Sequence, residues 1–196
     1  RKEIGNNSEY SKDIDLLISQ TKRCSEILKK ISRKQIEDDK FISNIKIEDL
    51  LHEIIDSFKE TSSKEINIIP EKDENKIDIR RTPEIIYGLR NFIGNAVKFS
   101  KSKVVIYLKS DQKKIIVTII DDGPGFPDDV VNILGEPYIK SKSKDVSSNS
   151  GLGLGIFLGK TLLEKQGAHL LFSKNTILGG ASVMIAWDIK NLKPSV

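Results

Sequence analysis

Apolar residues along the chain fall into two periods. Ile14, Leu17, Ile18, Thr21, Cys24, Ser25, Leu28 and Ile31 recur at three- and four-residue spacing. That stripe predicts an amphipathic helix over roughly 9–35, with Ser8 placed to cap it. One helix cannot bury such a stripe alone, so the pattern calls for a partner helix, from a second copy or from before Arg1. An edge strand is predicted over 41–47. A second helix follows, carrying Ile47, Leu50, Leu51, Ile54, Ile55 and Phe58 to about Thr61. Short β-branched runs at 66–69 and 77–79 predict strands. Thr82-Pro83 pairs an N-cap with proline at the first helical position. The helix it opens turns Ile85, Ile86, Leu89, Phe92, Ile93, Ala96 and Val97 inward and ends near Phe99.

Strands at 103–108 and 114–120 flank the polar turn Ser110-Asp111-Gln112. Residues 127–150 keep no period, and a loop of that length inside a compact domain is usually functional or disordered. Gly151 to Gly155 then lead into an apolar helix over 156–166, and strands at 169–172 and 182–187 finish the chain. This order predicts an α+β fold, a two-layer sandwich with helices on one face of a mixed sheet.

Composition narrows the class. The 196 residues allow one moderate core plus an appended helical piece. At 38% apolar and 31% charged the chain is hydrophilic. No stretch nears the roughly eighteen apolar residues of a membrane span, and Arg1 opens no signal peptide. Basic and acidic residues are interleaved, so the net charge of +4 gives little reason to expect nucleic acid. Cys24 is the only cysteine, which excludes an intramolecular disulfide and a cysteine-based zinc site. His52 and His169 have no neighbouring ligand cluster. A reducing, cytoplasmic setting is expected.

Candidate chemistry lies at three stretches. The run Ile115 to Ile120 ends in Asp121-Asp122-Gly123-Pro124-Gly125-Phe126-Pro127. An Asp at a strand end offers a fixed acceptor, and the glycines let a flat ligand approach; alone, the motif reads first as a tight turn. On the helix from Thr82, Asn91, Asn95 and Lys98 share one face. Amide oxygens suit Mg²⁺ and a lysine one turn on suits phosphate, although a solvated polar face has the same pattern. Gly151-Leu152-Gly153-Leu154-Gly155 precede a helix start, where free N–H groups and the helix dipole favour an anion. The spacing is neither dinucleotide-type nor a P-loop.

These three stretches, in this order and joined by a basic loop, resemble the Bergerat ATP site. The chain is similar to the catalytic ATP-binding domain of sensor histidine kinases and to the wider gyrase/MutL-type ATPases, over roughly 41–190. The resemblance implies ATP and Mg²⁺ as cofactors. Asn91 to Lys98 look like the N box, Asp121 to Gly125 the first glycine box, and Gly151 to Gly155 the second. By similarity, Asp121 accepts from the adenine amino group, with Gly123 and Gly125 beside it. Asn95 holds Mg²⁺, and Asn91 and Lys98 sit near the phosphates. The loop 127–150 is the ATP lid, with Tyr138 and Lys140 closing over the nucleotide.

Two departures carry weight. The second box usually begins one glycine earlier, where this chain has Asn149, which implies a stiffer lid hinge. Gyrase- and MutL-type ATPases place a water-activating glutamate four residues before the metal asparagine, and here that position is Asn91. An amide is no general base at neutral pH, so transfer to another acceptor is favoured over hydrolysis. A hydrolytic ATPase of this fold, or a degenerate nucleotide-binding and dimerisation module, are the rival readings.

Thr21 to Leu28 and Leu134 to Tyr138 further resemble the redox-responsive RegB/PrrB kinases. That likeness implies that 1–38 form part of the dimerisation and phosphotransfer hairpin and 39–196 the catalytic domain. It makes Cys24 a redox candidate, against the plainer reading of a buried core cysteine. The implied partners are a response regulator receiver domain and a second copy through the first helix, with no nucleic acid and no direct membrane contact. No histidine precedes Cys24, and His52-Glu53 lacks the H-box proline, Ser57 standing in its place. The expectation is a fragment with a kinase engine but no acceptor helix, unable to phosphorylate itself.

Overall fold

The computed structural model describes residues 44–70, 77–127, 131, 134–136 and 154–192. Contacts divide the chain at Phe41/Ile42, and all described residues belong to the unit Ile42–Val196. The helix predicted over 9–35, and Cys24 on it, lie outside the described residues.

Strand β1 (Asn44–Lys46) leads into helix α1 (Ile47–Lys59), followed by β2 (Glu65–Pro70) and β3 (Asp78–Arg80). Helix α2 (Pro83–Phe99) precedes the hairpin β4 (Lys103–Ser110) and β5 (Lys114–Asp121). Helix α3 (Leu154–Lys165), the hairpin β6 (Ala168–Lys174) and β7 (Ala181–Asp188), and the short α4 (Ile189–Leu192) complete the unit.

Five strands form one mixed sheet in the order β2-β4-β5-β7-β6, while β1 and β3 pair separately. Within the sheet β2 runs parallel to β4, with Ile66 opposite Val104, and the remaining pairs are antiparallel. A parallel neighbour needs a crossover, and α2 lies within the segment that provides it. Of the edge strand expected over 41–47, residues 41–43 lie outside the described residues, Ile47 begins α1, and 44–46 form β1. It joins β3 through Ile45 opposite Ile79, in a two-stranded ribbon of its own.

The alternation along the strands decides the faces. Val104, Ile106 and Leu108, Ile115, Val117 and Ile119, and Val183, Ile185 and Trp187 share one core with the helices. Leu50, Leu51, Ile54 and Ile55 of α1 and Ile85, Leu89, Phe92 and Ile93 of α2 cover them. Each such side chain contributes about 1.5–3 kcal/mol on burial. Across the other face runs a less buried row of paired residues, Tyr107, Thr118, Met184 and Leu171. The helices therefore occupy one face, as the pattern predicted.

Helix α2 is held at both ends. Thr82 Oγ1 accepts from Ile85 N at 3.3 Å, and Pro83 sits in the first turn. At the far end Lys64 Nζ donates to the carbonyls of Val97, Lys98 and Ser100. A cation on these last carbonyls complements the negative end of the helix.

Candidate functional site

Asp121 closes β5 with the same parity as Val117 and Ile119, so its side chain falls on the helix-covered face. It is only 4% exposed. Its Oδ1 accepts from Gly123 N at 2.8 Å and from Ala181 N at 3.2 Å. Burial pushes the carboxyl above the ordinary carboxylate range, against the pull of those two N–H groups; Asp122 adds to the rise and Lys64 opposes it. A buried carboxylate with one oxygen fixed by two N–H groups is a suitable base reader.

The glycines give it room. A Cβ on Gly123 would lie 2.4 Å from the Phe99 carbonyl oxygen, so the turn meets the end of α2 backbone to backbone. Gly125 has φ of +81°, a conformation glycine adopts without strain. Phe126 then packs edge-on against Phe172, 5.9 Å between centroids, and Phe172 lies 5.9 Å from Phe92 of α2. Three rings thus join the turn, β6 and α2.

Asp122 has a different task. Its carboxylate accepts from Lys101 N (2.8 Å), Ser102 N (3.0 Å), Ser102 Oγ (2.7 Å) and Lys103 N (3.1 Å). Desolvation works to raise its pKa, but the bonds from Ser102, Lys103 and Lys101 together hold it well below the usual range. It fastens the link between α2 and β4 beside Asp121.

On α2, Asn91 and Asn95 are partly buried and face the start of α3. A Cβ on Gly155 would lie 3.6 Å from Asn91 Oδ1 and 3.8 Å from Asn95 Nδ2. Asn91 Nδ2 donates to Tyr87 O at 2.8 Å, which leaves its oxygen turned to other partners. The two helices meet closely along one seam. Gly159 faces Phe92 and the Asn91 Cβ at 3.0 and 3.1 Å, and Gly88 faces the buried Leu163 at 2.4 Å, both measured from an added Cβ. Lys98 is exposed, its Nζ 5.1 Å over the Phe99 ring. Asn91, Asn95 and Phe99 follow at successive turns of α2, about 6 Å apart along its axis. One side of α2 therefore connects the start of α3 to the Asp121 turn.

Of the predicted site residues, the fold brings together Asn91 and Asn95 with Gly155, and Asp121 and Gly123 with the end of α2. Tyr138, Lys140, Gly151, Leu152 and Gly153 lie outside the described residues. Leu154 opens α3. His52 is an exposed residue of α1, and His169 is exposed on β6, opposite Ala186. Three residues at the site were missed by the sequence reading. Asn175 and Gly180 belong to the β6–β7 turn and Ala181 opens β7, yet all reach Asp121. The run Asn175 to Gly180 reads as a hairpin turn, and nothing in it announces a neighbour 54 residues away.

The profile of the histidine kinase-, DNA gyrase B-, and HSP90-like ATPase family matches residues 81–191. That is more than half of the chain, and the chain belongs to this family. Sensor histidine kinase RegB of Cereibacter sphaeroides is 32% identical over 179 residues, covering 87% of this chain and 38% of that protein. Signal transduction histidine-protein kinase AfsQ2 of Streptomyces coelicolor is 34% identical over 111 residues, 54% of this chain and 19% of that one. This chain thus spans about two fifths of the length of RegB. Mycobacterial sensor histidine kinase MprB shares the fold at a TM-score of 0.62 and 17% identity, over 75% of this chain and 97% of that chain. The ATP binding domain of PrrB from Mycobacterium tuberculosis does so at 0.57 and 20% identity, over 79% and 99%. The domain here is a histidine-kinase-type ATPase domain, the family its boxes resemble.

Proposed function

We propose that this chain is the nucleotide-holding catalytic part of a sensor histidine kinase of the RegB kind, which presents ATP for γ-phosphate transfer to a histidine on a dimerisation helix. The observation that carries this reading is the arrangement around α2. The buried Asp121 carboxylate lies beside its C-terminal end, and two carboxamides lie one and two turns earlier against the start of α3. In this reading Asp121 Oδ2 accepts from the adenine amino group. The first turn of α3 offers N–H groups to the phosphates, and the Gly151 to Gly155 run is assigned to them on the family pattern.

The donor set suits Mg²⁺ shared with nucleotide. Among the described residues no three His, Cys, Asp or Glu converge as a protein cage. An ion held mainly by phosphate oxygens and water needs only one or two hard neutral ligands, which Asn95 and Asn91 can supply. When bound, the ion offsets charge on the transferring phosphoryl group. Lys98, Tyr138 and Lys140 are assigned to the phosphates and the lid, and Cys24 to redox control, on the family pattern.

Asn91 has no basic lone pair with which to activate water, so the ATP is held for transfer. The histidine acceptor, the receiver domain of a response regulator and the second copy of the chain complete the proposed cycle, in the cytoplasm beneath a membrane-anchored sensor. No helix among the described residues is long and apolar enough to cross a membrane. The test supplies a separate hairpin carrying an H box, with radioactive γ-phosphate. Label on the hairpin histidine, with little free phosphate released, supports kinase action. Steady phosphate release without labelling would make the chain a hydrolytic ATPase.

A further inference from the structure

We infer that Asn175, on the turn between β6 and β7, is a positioning residue for base recognition that aligns Asp121 with the exocyclic amino group of the purine. The inference rests on the adenine assignment of Asp121. The described register between β5 and β7 ends at Ile120 opposite Ser182. One residue further, Ala181 N does not continue the ladder to the Asp121 carbonyl; it donates to the Asp121 carboxylate, at 3.2 Å. That exchange leaves the carbonyl of Asp121 without the donor the ladder would give it. Asn175 supplies one. Its Nδ2 donates to Asp121 O and to Ala181 O, each at 2.9 Å, inside the protein where Asn175 is 7% exposed.

The other side of the same amide holds the turn. Oδ1 accepts from Leu178 N at 2.6 Å and Gly179 N at 3.2 Å, and Asn175 N donates to Gly180 O at 2.9 Å. The orientation is unambiguous, because a flipped amide would set oxygen against two carbonyls and NH₂ against two N–H groups. Gly180 makes the approach feasible. An added Cβ there would lie 2.3 Å from both Asp121 O and Oδ1, and 2.7 Å from Gly123 N. A side chain 54 residues from Asp121 thus replaces a rung of the sheet, so that Ala181 N can hold Oδ1, and the adenine assignment gives Oδ2 to the amino group.

This separates positioning from plain structure, because only positioning couples Asn175 to the amino group. The test titrates ATP and purine riboside triphosphate, which lacks that group, into the wild-type chain, Asn175→Ala and Asn175→Ser, all with Mg²⁺. Serine keeps an acceptor for the turn N–H groups but cannot span to the Asp121 carbonyl. The expected result is a loss of about tenfold for ATP in both variants, with the purine analogue nearly unchanged. Equal losses for the two nucleotides, or no loss, in a wild-type protein that does prefer ATP would overturn the positioning role and leave Asp121 as the reader. A wild-type chain that does not prefer ATP would overturn the adenine assignment, and the proposal with it. If neither variant keeps a wild-type melting profile, Asn175 is a folding determinant and the proposal fails.

Discussion

The two ends of α2 hold their functional groups in different ways. At the C-terminal end Asp121 is bound by backbone N–H groups on both sides, from Gly123 and Ala181, and its carbonyl is held by Asn175. Asp122 beside it takes donors from three consecutive residues, Lys101, Ser102 and Lys103. One turn and two turns earlier, Asn95 and Asn91 are placed by helix packing, with Asn91 bonded to the Tyr87 carbonyl of its own helix. The gap left by Gly155 faces both, and that left by Gly159 faces Asn91. A planar base is recognised by one fixed acceptor, which favours a rigid network. In the proposed reading, phosphates and a hydrated ion are served by the backbone of a helix start and by neutral oxygens that adjust.

The largest expected effect breaks the rigid end. Asp121→Asn should preserve the two N–H bonds to Oδ1 but put an NH₂ where the adenine amino group needs an acceptor. Affinity for a fluorescent ATP analogue should fall by about 100-fold; an unchanged Kd would sink the assignment. Stability should move the other way. Asp121 has a raised folded-state pKa, so its contribution is present below the unfolded value and lost as pH rises through the folded one. At neutral pH the buried ion is a cost, and Asp121→Asn should melt at the same temperature or higher.

Next in size is the seam between α2 and α3. Gly88→Ala drives a methyl into the buried Leu163 and should cost about 1–3 kcal/mol in denaturant unfolding, partly offset by better helix propensity. A melt no lower than wild type would mean the seam is looser than its distances imply. Asp122→Asn should cost a similar or smaller amount, about 1–3 kcal/mol. The sign with pH distinguishes it from Asp121. Its folded pKa is lowered, so its stabilisation is full above the unfolded carboxylate value and is lost as pH falls through that value toward the folded one. Acid unfolding of wild type and Asp122→Asn should therefore converge at low pH. Curves that stay parallel would contradict the role of the Lys101 to Lys103 donors.

The smallest effect is expected at the adjustable end. An alanine at Gly155 meets Asn91 and Asn95 at 3.6–3.9 Å, ordinary contact distances. Gly155→Ala should shift stability by less than about 1 kcal/mol and weaken nucleotide binding only a few-fold. If it weakens binding as much as Asp121→Asn, the contrast between a rigid and an adjustable end is wrong.

Much of the fold was legible because local rules govern it. Thr82-Pro83 marks the start of α2, and Asp111 accepts from Lys113 N and Lys114 N in the turn predicted from Ser110-Asp111-Gln112. The alternation in β4, β5 and β7 predicts which residues are buried. The family was legible from three boxes in order. Neither the 1–38 and 39–196 division nor the roles of Tyr138, Lys140 and Cys24 is reached by the described residues. The ribbon of β1 and β3 was not legible, because a three-residue strand carries no signal for which partner it takes.

By itself the sequence determined the elements, the faces they bury and the chemical types at the site: a carboxylate at a strand end, amides on a helix, glycines at a helix start. Those follow from periodicity, capping and turn chemistry, which act over a few residues. Only the tertiary structure decided what surrounds each group. Ala181 N reaches Asp121 across 60 residues, Asn175 replaces the missing rung, and Gly155 is set against Asn91 and Asn95. Long-range pairing is chosen by the packing of the whole sheet and its helices, and no local pattern encodes it.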